Sequence, residues 1–282
     1  MHNGAIRAVE SVLQESLEVD IIVVDDNSDP TLSLPEEISS LSNVTLIKHN
    51  ENSGAGAARN TGVSAAQTKW ISFLDSDDYL MKDTLESRFR LAKEHWQNSE
   101  TGPVIYGSGW IEPKGSKDEY IQRTPIGSSR REDFASGCWY CPGSCIIGLR
   151  DTFLKHPFDE KLSRLEDFDF GIRFGTSGGK LIIFDIASTH IDRGKTARAN
   201  EIISCSKLIK SKYRSLKTTS PKTWNALSSY LDLEIASVFF KDKKFVCFSY
   251  YFLSSLFYYP RLKLHFSPGW KISDFSQREG DR

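Results

Sequence analysis

Three carboxylates crowd into four positions in Phe73-Leu74-Asp75-Ser76-Asp77-Asp78. Acids this close repel one another unless a positive charge sits among them. An Asp-x-Asp after a strand offers hard oxygen ligands of the kind that Mg²⁺ takes and Mn²⁺ accepts. Mg²⁺ typically uses one or two protein carboxylates and fills its shell with water and phosphate oxygens. The competing reading is a solvated acidic turn that caps the next helix.

Other segments carry polar groups suited to chemistry. Val24-Asp25-Asp26-Asn27-Ser28 ends a second apolar run in acids. These acids could accept hydrogen bonds from a base or ribose, or merely close an Asx turn. The stretch Gly54 to Gly62 is rich in Gly and Ala, but Arg59 stands where a dinucleotide fingerprint needs its third glycine. No Gly-Lys-Ser/Thr follows, so it is not a P-loop either. Its small residues allow close backbone approach and Arg59 could reach a nucleotide; alternatively they pack a helix against a sheet. Glu166-Asp167-Phe168-Asp169 could supply a general base, or could simply place negative charge at a helix N-terminus. Cys138, Cys141 and Cys145 are spaced like metal ligands but lack an evident fourth partner. They read as buried free thiols beside Trp139 and Tyr140.

Periodicity supplies the elements that must position these groups. Ile6, Val9, Leu13 and Leu17 recur at helical spacing, which predicts a helix over Ala5 to Leu17. Ile21 to Val24 reads as a buried parallel strand with Asp25 and Asp26 at its carboxyl end. Val44 to Ile47 and Trp70 to Leu74 are further strands. The segment from Gly54 to Ala66 reads as a loop entering a helix, and Met81 to Trp96 as a helix. Such alternation predicts an α/β fold with a mostly parallel, Rossmann-like sheet flanked by helices. In such sheets ligands bind beyond the carboxyl ends of the strands, where both acidic clusters fall. Val104 to Tyr106, Ser144 to Gly148 and Lys180 to Phe184 are expected strands, and Leu165 to Phe174 an expected helix. The polar stretch Gly115 to Arg131 is expected to be a loop. Residues 1–198 are read as the catalytic unit and 199–266 as a helical C-terminal appendage with a break at Ser220-Pro221. Residues 267–282 are expected to form a loosely ordered tail.

Composition narrows the function classes. Hydrophobic residues make up 39% and charged residues 26%, which suits a globular domain rather than a disordered chain. A formal net charge of −1 gives no basic footprint for nucleic acid. An odd cysteine count with no signal peptide predicts a reducing, cytoplasmic setting. The longest apolar stretch, Phe245 to Tyr259, is too short to cross a bilayer of about 30 Å. Lys241, Lys243 and Lys244 precede it. It could therefore lie on the inner face of the cell membrane near a lipid-linked acceptor, or pack on the catalytic unit.

Taken in order, Ala8 to Gln14, Ile21 to Ser28, Asn52 to Gly62, Trp70 to Asp78, and Phe158-Asp159-Glu160 leading to Glu166-Asp167-Phe168-Asp169 resemble the family 2 glycosyltransferases. The resemblance covers roughly residues 3–190 and implies a GT-A fold. It implies an inverting, metal-dependent transfer of a sugar from a nucleotide-diphosphate sugar donor to a hydroxyl of a glycan or lipid-linked acceptor. Surface polysaccharide or glycan synthesis is the implied setting. Asp25, Asp26, Arg59, Asp75 and Ser76 would then contact the donor. Asp75 and Asp77 would hold Mn²⁺ or Mg²⁺, with His190 as a further metal or phosphate contact. Asp167, beside Glu166, would be the catalytic base. Arg193, Lys195 and Arg198 could fold over the diphosphate.

The resemblance also places a hydrophobic strand and a Pro-Thr-Tyr-Asn-like turn before this sequence's first residues, and these are missing. A sheet without that strand predicts poor stability or weak donor binding. Two rivals stand beside this reading. An aspartyl-phosphate phosphohydrolase would use Asp75 as nucleophile, but Tyr79 departs from its pattern and Glu166-Asp167 would have no role. A degenerate, non-catalytic sugar-nucleotide-binding protein is the other. A nucleotidyltransferase is weaker still, since its early glycine-rich signature is absent.

Overall fold

The computed structural model describes residues 2–98, 102–114, 119–137, 141–192, 198–258 and 271–275. Helix α1 (His2–Leu13) opens the chain and is followed by β1 (Ile21–Asp25), α2 (Glu36–Ser39) and β2 (Val44–Lys48). The first helix begins earlier than expected and stops at Leu13 rather than Leu17. Its apolar stripe, Ala5 and Val9 with Ile6 and Leu13, packs on Ile21, Val23, Val44 and Leu46. Strands β1 and β2 run parallel, with Ile21 opposite Val44 and Asp25 opposite Lys48.

The chain continues through α3 (Ala55–Ala65), β3 (Trp70–Ser72), β4 (Tyr79–Leu80), α4 (Thr84–Asn98), β5 (Val104–Pro113) and β6 (Tyr120–Thr124). Then come α5 (Arg131–Ala135), β7 (Ile146–Leu149), α6 (Arg150–Lys155), α7 (Glu166–Thr176) and β8 (Lys180–His190). Helices α8 (Ala199–Lys212), α9 (Leu216–Thr219), α10 (Pro221–Lys241) and α11 (Phe245–Tyr258) follow, with β9 (Lys271–Phe275) last.

The main sheet runs β3-β7-β5-β6-β9, with β8 beside β5 and β4 beside β8. Parallel pairing holds for β1 with β2 and for β5 with β8; the remaining pairs are antiparallel, so the sheet is mixed rather than mostly parallel. Part of the stretch expected to be a loop forms β6. A buried ion pair makes this polar strand compatible with the sheet: Arg123 donates to Glu112 on β5 at 2.7 Å. The terminal stretch expected to be loose contains β9, antiparallel to β6.

Strands β1 and β3 belong to separate sheets, and each has one edge without a strand partner among the described residues. Residues of both strands line a single cavity of about 1350 Å³, which Ala8 and Val12 of α1 also line. Ile21 to Val24 are accordingly half-buried, not buried as their β-branched run predicts. Among the described residues only β2 covers an edge of β1, and the cavity lies alongside the strand.

Aromatic packing ties the site-bearing segments together. Phe73, just after β3, meets Phe153 and Phe158 edge-on at 4.9 and 5.7 Å. Phe158 in turn stacks on Phe170 of α7 at 5.1 Å. The helical C-terminal region packs on the other side of α7, where Phe168 and Ile172 join Ile209, Leu227 and Leu231 in one buried cluster. Polar contacts fix the same joint. The buried Asp169 accepts from Tyr213 Oη, Lys212 Nζ and Arg173 Nε at 2.8, 2.9 and 2.8 Å.

Candidate active site

Asp26, Arg59, Asp75, Asp77, Glu166 and Asp167 line the cavity beside β1 and β3, as do Asp25 and Ser76. Four separate chain segments thus converge on one space. Each reaches it for a local reason.

Asp25 closes its own turn. Its carboxylate accepts from the Ser28 and Leu32 amides at 3.0 and 2.9 Å. Burial alone would raise its pKa, but these hydrogen bonds outweigh it and hold the group below the usual carboxylate range. Asp26 works across a longer distance. It accepts from the Ser53 and Gly54 amides at 2.9 and 2.6 Å and from His49 Nδ1 at 2.7 Å. Those bonds likewise overcome burial and keep it ionised. Asp26 therefore pins the turn that enters α3, and Gly54 is needed there because its φ is +90°.

Arg59 sits on α3 and bridges two motifs. Its Nη2 donates to Asp75 Oδ1 and its Nη1 to Glu166 Oε1, both at 2.8 Å. Burial disfavours its charge, but the two carboxylates outweigh that and hold the guanidinium protonated. The helix can approach this closely because position 56 is glycine: a Cβ there would lie 3.2 Å from the Phe158 side chain and 3.6 Å from that of Glu166. The glycine-rich stretch therefore packs the helix closely and brings Arg59 to Asp75 and Glu166.

The acidic turn after β3 is braced from behind. Ser144 Oγ donates to Asp78 Oδ2 at 2.6 Å and accepts from the Asp75 amide at 3.0 Å. The Asp192 amide donates to Asp78 Oδ1 at 3.2 Å. Burial, with Asp75 and Asp77 nearby, pushes the Asp78 carboxyl up to about 7 despite these bonds. Asp78 is thus a buried strut, not a free ligand. Asp77 is also raised, by burial and then by the charges of Asp75 and Asp192. The start of α1 lies against this turn: a Cβ on Gly4 would be 2.6 Å from the Ser76 carbonyl oxygen.

The donor set suits a hard divalent cation. Asp75 and Asp77 offer carboxylate oxygens, and their mutual repulsion is the electrostatics a cation relieves. Among the described residues no group of three or more His, Cys, Asp or Glu side chains is placed to hold a metal. A cation here would take most of its shell from water and phosphate oxygens. His190 is not among the residues lining the cavity. It lies opposite Tyr79 in the β4–β8 pair and stacks on that ring at 4.5 Å, with Nδ1 buried and unpartnered. Burial keeps its ring neutral.

Glu166 and Asp167 occupy the first turn of α7, where negative charge suits the helix terminus, and both line the cavity. Asp167 Oδ1 accepts from the Phe168 amide at 2.7 Å. Burial, with Glu166 next, pushes its carboxyl up to about 7 against the pull of Arg59. That places it where a carboxylate can both hold and release a proton near neutrality.

Sequence reasoning missed two contributors. Ser144 lies in a short 3₁₀ turn, and Glu234 lies on α10 beside the same cavity. Burial raises Glu234, a hydrogen bond from Tyr230 opposes this, and its charge adds to the upward push on Asp167. A glutamate among the apolar positions of α10 was the signal available for it. Arg198 starts α8, while Arg193, Lys195 and Cys138 lie outside the described residues. Cys141 and Cys145 are buried free thiols.

The glycosyl transferase family 2 sequence model matches residues 4–156, more than half of the chain. The chain belongs to glycosyl transferase family 2. The phosphohydrolase and nucleotidyltransferase readings fall with that match. The chain is 29% identical over 171 residues to the amylovoran biosynthesis glycosyltransferase AmsB of Erwinia amylovora, covering 58% of this chain and 56% of AmsB. It is 30% identical over 168 residues to an uncharacterized glycosyltransferase of Rickettsia felis, covering 58% of this chain and 27% of that protein. The chain therefore spans only part of the length of these curated relatives. The Escherichia coli protein WfaP, named as a UDP-Glc:alpha-D-GlcNAc-diphosphoundecaprenol beta-1,3-glucosyltransferase, is 28% identical over 214 residues, covering 72% of this chain and 79% of WfaP. Among solved structures, S. aureus TarS 1-349 in complex with UDP matches with a TM-score of 0.54 at 16% identity, over 89% of this chain and 86% of that one. That likeness shows a shared GT-A fold.

Proposed function

We propose that this family 2 chain transfers a sugar from a nucleoside diphosphate sugar to an acceptor hydroxyl, with inversion, in the assembly of a surface polysaccharide or glycan. The observation that carries this is the meeting of Asp26, Arg59, the Asp75–Asp77 pair and Asp167 on one cavity. Two similar proteins support it: TarS, alike in fold, is crystallised with UDP, and WfaP is named as acting from UDP-Glc onto alpha-D-GlcNAc-diphosphoundecaprenol.

In this reading Asp26 holds the turn against which the nucleoside rests. Asp75 and Asp77 would hold Mn²⁺ or Mg²⁺. Such an ion, when bound, supplies charge neutralisation to a departing diphosphate. Asp167 removes a proton from the acceptor hydroxyl as that oxygen attacks the anomeric carbon. Arg59 holds Glu166 in place through its 2.8 Å hydrogen bond, and Asp167 is the carboxyl whose proton affinity burial raises. No covalent nucleophile is required.

The edges of β1 and β3 that carry no strand partner among the described residues favour a second reading, in which the chain binds a sugar nucleotide but does not turn it over. Release of free nucleotide from UDP-, GDP- and dTDP-sugars in the presence of Mn²⁺ separates the two. The transferase reading expects slow release from at least one donor even without acceptor. No release from any of them, under conditions where binding is measured, would leave the binding-only reading.

A further inference from the structure

Helix α11 leaves a continuous apolar stripe in solvent. Val246, Tyr250, Leu253 and Phe257 are 87%, 68%, 63% and 86% exposed. Their spacing of four, three and four residues puts them on one face of the helix. Phe240 and Phe245, also exposed, extend the stripe at its start. The opposite face is fixed to α10. Ser255 Oγ donates to the Ser229 carbonyl at 2.8 Å, and Ser254 Oγ donates to Asp232 Oδ2 at 2.7 Å. Among the described residues the stripe takes no part in the fold's own packing, and monomers seldom leave such a patch bare without a use for it.

Charge indicates what covers it. α11 contains no acidic residue, and exposed Lys241, Lys243 and Lys244 lead into it, with Asp242 the single acid in that turn. Tyrosine and phenylalanine rings over a basic collar suit the boundary between headgroups and acyl chains. Among the described residues no helix is long and apolar enough to cross a membrane. α11 would lie in the plane of the surface. Two copies packed stripe to stripe would leave each lysine cluster at an end of the contact with no acid on α11 to answer it.

We propose that the exposed face of α11 docks on an anionic phospholipid bilayer. The inference deepens the transferase reading and rests on it for its purpose. α10 holds α11 through Ser229 and Asp232, and through Tyr230, Leu233 and Glu234 it lines the cavity that contains Asp167. A bilayer under α11 thus lies beside the helix that walls the site, where an acceptor carried in that bilayer could be reached.

Flotation of the purified chain with phosphatidylcholine vesicles, with and without phosphatidylglycerol, tests this. The chain should float with the anionic vesicles, and high salt should weaken the association. The double substitution Val246→Glu with Phe257→Glu should lower vesicle partitioning about tenfold or more, since it sets charge into the apolar face. Reversing Lys241, Lys243 and Lys244 to Glu should do the same through the headgroups. Both variants alter exposed positions, and their unchanged melting curves would confirm folding. Absence of flotation with anionic vesicles overturns the proposal, as does equal flotation of the Val246/Phe257 variant. A wild-type dimer that this variant converts to monomer also overturns it, because the stripe is then an interface between copies. Flotation needs no donor, so a failure of nucleotide release would count against the transferase reading alone.

Discussion

Asp167→Asn should abolish sugar transfer while making the protein more stable. Loss of a general base typically costs about 10²–10⁴ in rate. Donor binding should survive, because the acids at Asp26 and Asp75–Asp77 are untouched. The stability gain follows from burial. The Asp167 carboxyl is pushed up to about 7 by desolvation and by Glu166. The folded state therefore holds a proton that the unfolded chain releases at ordinary carboxylate pH. Between that range and about 7, stability falls as pH rises, because the folded state binds more protons than the unfolded one. The Asn variant lacks this loss. Its advantage in melting temperature should grow through that window and level off above it, reaching roughly 1–3 kcal/mol at neutral pH. Wild-type turnover should rise with pH through the same window, as Asp167 becomes the free base. Melting and rate profiles from pH 4 to 9 check both halves. A variant no more stable than wild type at pH 8, or one that still transfers, would contradict the role assigned.

Arg59→Met should be the most damaging single change near the cavity. It keeps the length and apolar stem but removes the cation shared by Asp75 and Glu166. Arg59 and Glu166 side chains are each 13% exposed, against 39% for Asp75, so the Glu166 arm suffers most. Breaking a buried pair by removing one partner costs about 3–5 kcal/mol, and the more open Asp75 arm adds little. A loss of roughly 3 kcal/mol is expected, together with weaker donor binding, because Asp75 loses its anchor. Arg59→Lys should rescue little: one ammonium cannot reproduce a fork that reaches two carboxylates in different directions. Chemical denaturation of both variants checks this. If the lysine variant matched wild type, the bridge would matter only as a charge.

The site was legible in the sequence where its groups lie next to one another. Asp25-Asp26 and Asp75 to Asp78 could be read because a β-branched run ends in acids. Arg59 stood out because it interrupts a glycine pattern, and Glu166-Asp167 because acids open a helical stretch. What was not legible comes from contacts between distant segments. Ser144 is an ordinary serine until its hydroxyl is seen between Asp75 and Asp78. Asp169 reads as one more helix acid, yet it holds α7 to the end of α8 through two donors, Tyr213 and Lys212. β6 was read as a loop because its polarity hid the cross-strand partner, Glu112, that neutralises Arg123. Motif order alone points to His190; the antiparallel pairing of β4 with β8 seats it on Tyr79, and it is not among the residues that line the cavity. The mixed sheet had the same cause, since strand direction depends on long-range pairing that period-two patterning does not encode.

The central claim is that one cavity, lined by Asp26, Arg59, Asp75 and Asp77, binds a sugar nucleotide with a divalent cation. Thermal shift across UDP-, GDP- and dTDP-sugars, with and without Mn²⁺, tests it most directly. Ligand at about 100 times its dissociation constant should add about 2.7 kcal/mol of stability. The account predicts a shift for at least one donor that requires Mn²⁺, is lost in Asp77→Ala and is kept in Asp167→Asn. No metal-dependent shift with any donor, or a shift that persists in Asp77→Ala, would contradict it.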